Sequence, residues 1–100
     1  MDLERQKREQ RRWQILQVLN AGRPYPVNEQ LMLSVIGDIP LPTTPLELRK
    51  ELDYLEERGL VKLAGRDSPT WSAELTRDGI DVVEYTVECD PGIARPKKYW

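Results

Sequence analysis

Leucines recur at one helical spacing in LELRKELDYLEERGL, residues 46–60. Leu48, Leu52 and Leu55 stand at i, i+4 and i+7, so they share one face of a helix. Thr44 ahead of them is a good N-cap, Pro45 suits the first helical position, and Glu47 sits where a capping-box acid reaches back. Gly59 is the expected left-handed residue after the helix, and Leu60 the apolar contact that closes a Schellman ending. A longer helix is predicted over about residues 3–20. Trp13, Ile15, Leu16, Val18 and Leu19 give its second half a broad apolar face, and Asn20-Ala21-Gly22 ends it. Its first half has only Leu3 as a large apolar side chain, so that half is expected to project into solvent or onto a partner.

Between these helices, PYPV (24–27) is extended because each residue before a proline is pushed out of the helical region. It reads as a minimal edge strand. Asn28 then caps a second helix whose Leu31, Met32, Val35 and Ile36 are spaced for a buried face, closed by Gly37-Asp38. The linker IPLPTT, with two prolines, is too stiff to be helical. After Gly59, the runs LVKLA (60–64) and TWSAEL (70–75), separated by GRDSP, read as a β-hairpin. Thr76 caps a last helix with Ile80, Val83 and Val87 on one face. Asp90-Pro91-Gly92 breaks the chain, and IARPKKYW is expected to be an extended tail. The pattern is mainly α with a small β-hairpin.

Composition narrows the chemistry. One hundred residues, 39 % hydrophobic and 32 % charged, suit one domain over 1–100. No apolar run approaches the roughly 18 residues of a membrane span, and the charged start MDLERQKREQRR lacks a secretion signal, so the expected compartment is the cytoplasm. With no histidine and Cys89 as the only cysteine, a Cys/His zinc site or a Ser-His-Asp triad cannot be assembled from one chain. No metal, cofactor or enzymatic activity is expected. The net charge of −2 is unevenly spread: a basic helix extension at about 1–12 carries +2, residues 92–100 in a basic tail from about residue 90 carry +3, and the body carries −7.

The order helix, short strand, helix, helix, hairpin, helix resembles the winged helix-turn-helix superfamily. Leu48, Leu52, Leu55, Gly59, Leu60 and Val61, then Leu75, Thr76 and Gly79, match that superfamily's pattern of a leucine-spaced recognition helix, a wing and Leu-Thr-x-x-Gly opening the last helix. More narrowly, RRWQILQVLN, LTRDGIDVVE and PGIARP look like small ArsR-like proteins of Mu-like phages and prophages, over about residues 11–96. The chain departs from metal-sensing ArsR proteins in having one cysteine and no histidine.

That resemblance implies a DNA-binding transcriptional regulator of a phage or prophage, acting as a homodimer on double-stranded DNA. Its expected DNA contacts are Thr43, Thr44, Leu46, Arg49 and Lys50 at the start of the third helix and Arg66 in the wing, where an arginine can enter the minor groove. Leu3 and Trp13 are the expected dimer contacts. The charge of the third helix argues another way: Leu46, Glu47, Arg49, Lys50, Asp53, Tyr54 and Glu57 point away from its leucine face, with two bases and three acids. The alternative is therefore a protein-interaction adaptor on the same scaffold, bound to a phage or host protein and no longer to DNA. Along the first helix, Glu4–Arg8 and Glu9–Arg12 are the expected ion pairs.

Overall fold

The computed structural model describes residues 2–37 and 42–98. Among the described residues four helices and three short strands follow in the order α1 (Leu3–Ala21), β1 (Val27–Asn28), α2 (Glu29–Gly37), α3 (Pro45–Glu57), β2 (Val61–Ala64), β3 (Ser72–Leu75) and α4 (Arg77–Val83). The chain is mainly helical, with one small antiparallel sheet of strand order β1-β3-β2. In the sheet, Val61 faces Leu75, Leu63 faces Ala73, and Val27 faces Ala73 from the other side. Lys62 opposite Glu74 adds a favourable cross-strand charge pair.

Local signals set the helix ends. The Thr44 hydroxyl accepts from the Glu47 N–H and the Glu47 side chain accepts from the Thr44 N–H, a complete capping box before Pro45. At the other end Gly59 takes φ +76°. Its N–H donates to the Glu56 carbonyl while the Leu60 N–H donates to that of Leu55, the two bonds of a Schellman ending. Asn28 caps α2 through the Leu31 N–H, and Thr76 caps α4 through the Gly79 N–H. At Gly79 the Leu60 carbonyl comes so close that a Cβ would collide with it, a packing reason for glycine there.

The core forms where α1, α2, α3 and the sheet meet. Ile15, Leu16, Leu19, Met32, Ile36, Leu48, Leu52 and Leu55 have essentially no exposed surface. Two arginines of α1 also reach inward. Arg12 pairs with Glu51 at 2.8 Å, donates to the Gly92 carbonyl and lies 3.6 Å over the Tyr54 ring. Arg11 donates to the Thr43 hydroxyl and the Pro42 carbonyl, fixing the start of α3 to α1.

Several expectations change. On α2, Met32 and Ile36 are buried but Leu31 and Val35 are 52 % and 41 % exposed. The two pairs lie about 100° apart around the helix, and only one stripe reaches the core. On α1 the ion pairs within the helix are Arg5–Glu9 and Lys7–Glu4 rather than Glu4–Arg8 and Glu9–Arg12, and Arg12 turns instead to the buried Glu51. Helix α4 stops at Val83, with Tyr85 in the left-handed region at φ 63°. Val82 is the buried residue of its last turn and Val87 is exposed. Tyr85 instead packs edge-on to Trp13, ring centroids 6.2 Å apart.

The C-terminal stretch is irregular but held. Ile93 is buried, the Ala94 N–H donates to the Glu9 carbonyl, and Arg95 donates to the Val82 and Val87 carbonyls while lying 4.4 Å over Tyr85. Residues 38–41 of the predicted helix end and linker, and Tyr99 and Trp100 of the predicted tail, lie outside the described residues. Among the described residues no helix is long and apolar enough to cross a membrane.

Candidate functional site

The six side chains expected to meet DNA start from one helix end and one hairpin, and the tertiary structure sorts them into three groups. Thr43 and Thr44 have structural work: Thr43 accepts from Arg11, and Thr44 caps α3. Leu46 and Lys50 are exposed, Leu46 by 64 %. Arg49 and Arg66 converge on one face, each guanidinium 4.7 Å from the centre of the Trp71 ring.

That convergence is a closed ion-pair cluster. Arg49 grips Glu29 through two bonds, Nε to Oε2 at 2.8 Å and Nη2 to Oε1 at 2.6 Å, and also donates to the Pro69 carbonyl. Glu29, 6 % exposed at its side chain, also accepts from the backbone N–H of Trp71, while its own N–H donates to the Trp71 carbonyl. One carboxylate thus ties the start of α2, the first turns of α3 and the hairpin. Arg66 donates to Asp53 and Glu56 of α3, and Glu56 in turn accepts from the Leu63 N–H. Two guanidiniums meet three carboxylates, so the cluster is net −1 before anything binds.

The titration shifts follow from these contacts. The Arg49 bond holds the Glu29 carboxyl below its ordinary range, opposed by burial and assisted by the Trp71 N–H. Glu56 is lowered first by Arg66 and then by the Leu63 N–H. Burial pushes the Cys89 thiol up, which disfavours the nucleophilic thiolate. Among the described residues no three acidic or thiol side chains are grouped as a metal ion requires.

The expected dimer contacts also separate. Trp13 is 7 % exposed and packs inside its own chain, whereas Leu3 is 56 % exposed at the start of α1. A second feature had no place among the expected sites: an open groove of about 440 Å³ between α1 and α2, walled by Val18, Ala21, Val27, Leu31 and Val35, with Gln14 in its lining. Gln14 Oε1 is buried with no hydrogen-bond partner among the described residues. Its signal was a polar residue inside the apolar run WQILQVL. Glu29 and Trp71 were also missed. They stand 20 and 22 positions from Arg49, and no local spacing links them.

Set against protein-family models, curated proteins and solved structures, the chain matches none of them.

Proposed function

We propose that this chain is a winged-helix protein that docks onto another protein and does not read DNA with its third helix. The order of elements and the strand order β1-β3-β2, with the early strand added to the hairpin, support the winged-helix class. The observation carrying the functional reading is the neutralisation of Arg49 and Arg66 by Glu29, Asp53 and Glu56. For Arg49 to leave for a phosphate or a base edge, Glu29 would remain buried without its partner. Leaving a buried charge without its partner is strongly unfavourable. Each remaining acid also opposes the counterion release that drives nucleic-acid affinity.

The test is binding of the purified chain to labelled random-sequence duplex between about 50 and 200 mM salt, a range over which a true phosphate-contacting protein loses orders of magnitude in affinity. We expect no binding at the low-salt end. Salt-dependent binding that Lys50→Ala weakens would overturn the docking reading.

One observation favours a second reading, a dimeric DNA-binding regulator of phage or prophage origin. Arg49 and Arg66 share the Trp71 ring, beside exposed Leu46 and Lys50 at the start of α3. In that reading Leu3 contributes to a homodimer, and DNA must displace carboxylates to gain its contacts. The same titration separates the two, because only the regulator shows a salt slope.

A further inference from the structure

Helix α4 ends in a way that its own residues do not favour. The Thr86 N–H donates to the Asp81 carbonyl and the Tyr85 N–H to that of Val82, the two bonds of a Schellman ending. Tyr85 takes the left-handed position of that ending, at φ 63°. Glycine is the usual residue there, as Gly59 is after α3, because a Cβ crowds the following carbonyl. The last turn of α4 also has no basic residue of its own. Both deficits are met from the C-terminal stretch. Arg95 Nη1 donates to the Val82 and Val87 carbonyls at 3.0 Å each, which brings a positive charge to the negative end of the helix. Its guanidinium lies over the Tyr85 ring, and the Tyr85 hydroxyl donates to the Pro96 carbonyl at 2.8 Å.

Apolar burial does little to hold that stretch. Ile93 is the last buried residue among those described, while Ala94 and residues 96–98 are exposed. The Ala94 N–H adds one backbone bond, to the Glu9 carbonyl. Segments attached through exposed hydrogen bonds, with few buried apolar contacts, open well before a core does.

We propose that residues 94–98 form a latch on the end of α4, hinged at the buried Ile93. The latch and the turn at 84–87 open together, as one unit, while the core stays folded. Release returns Tyr85 to negative φ, and the relief of its backbone strain favours the open form. Opening also withdraws Pro96 from the cleft that it lines with Trp13, Val83 and Tyr85, so this aromatic pair faces solvent. The device operates whatever the chain docks onto.

The test is native-state amide hydrogen exchange of the isotope-labelled full chain in low urea. Tyr85, Thr86 and Ala94 should exchange with one opening free energy and one shallow urea slope, far from those of Leu52 and Leu55 in the core. Arg95→Ala removes both carbonyl bonds and should raise that opening about tenfold at all three amides. Leu52 and Leu55 should stay far slower in the variant, still exchanging through the steep slope of global unfolding. Tyr85→Phe removes only the bond to Pro96, yet should raise the opening about fivefold at Thr86 as well as at Ala94. Strain is read from Tyr85→Ala against Tyr85→Gly, which both lack the ring. The alanine variant should open about fivefold more often, since only the closed turn demands positive φ.

Separate opening free energies for Ala94 and Thr86 would overturn the proposal, as would exchange of Ala94 only together with the core. So would a Tyr85→Phe effect confined to Ala94, an Arg95→Ala chain that exchanges like the parent, or equal opening of the alanine and glycine variants. If Arg95→Ala unfolds the whole chain, residues 94–98 belong to the cooperative unit of the core and the latch is equally overturned.

Discussion

The face formed by α3 and the hairpin and the groove between α1 and α2 are opposites in polar accounting. On the first, two arginines and three carboxylates satisfy one another around Trp71, and the most buried of them, Glu29, accepts three hydrogen bonds. On the second, aliphatic side chains stand open to solvent beside an acceptor with no donor among the described residues. A cluster already paired in this way gains less from a ligand, because a new contact at Arg49 must compete with its bonds to Glu29. An open apolar wall gains when a partner covers it. The more charged region is therefore the less available one, a distinction that a count of basic residues does not make.

Four measurements can break or sharpen that contrast. The largest effect is expected at the centre of the saturated cluster. Glu29→Ala should lose about 3 kcal/mol in urea unfolding, the low end for breaking a buried pair, because Arg49 is a third exposed and can regain water. A loss below about 1 kcal/mol would make the cluster a surface decoration and reopen Arg49 to DNA.

The same carboxylate shapes the acid limb. Glu29 and Glu56 have folded-state pKa values lowered from 4.5, so the stability they contribute is present above the unfolded value and is lost as pH falls through the folded one. Unfolding free energy measured from pH 6 downward should begin to fall near 4.5 and go on falling below it. Glu29→Gln should flatten part of that slope. An unchanged slope would show that the Arg49–Glu29 pair does not form in solution.

In the groove the sign should reverse. Gln14→Met removes an acceptor that has no partner among the described residues, and stability should rise by about 1 kcal/mol, the lower end of the cost of a buried unpaired group. A loss of stability would mean that the amide is satisfied within the folded chain. The smallest effect belongs to the rim of the saturated face. Arg66 is 44 % exposed at its side chain, so Arg66→Ala should cost the least of the four in the same unfolding assay. A cost near that of Glu29→Ala would put the two arginines in one cooperative network.

The elements were legible in the sequence to within a residue or two at most ends. The capping box at Thr44 and Glu47, the turn at Gly59-Leu60, and the caps at Asn28 and Thr76 all join residues three to five positions apart, and all form. The last helix is the exception. Its apolar spacing continued to Val87, but Tyr85 leaves the helix and packs against Trp13, which lies 72 positions earlier. The candidate site was legible only as a set of residue types. Arg49 and Arg66 do share a face, while the carboxylates that engage them, above all Glu29, belong to other elements or other turns.

What the sequence determined by itself was therefore where helices begin, end and turn, because those choices are made by hydrogen bonds within a few residues of one another. Only the tertiary structure decided which apolar stripe of α2 is buried, that Ile93 joins the core, that Arg12 leaves Glu9 for Glu51, and that Gln14 Oε1 has no donor among the described residues. Each of these depends on which surfaces meet across gaps of tens of residues. Periodicity marks a face as apolar, but only its neighbour determines whether that face is covered.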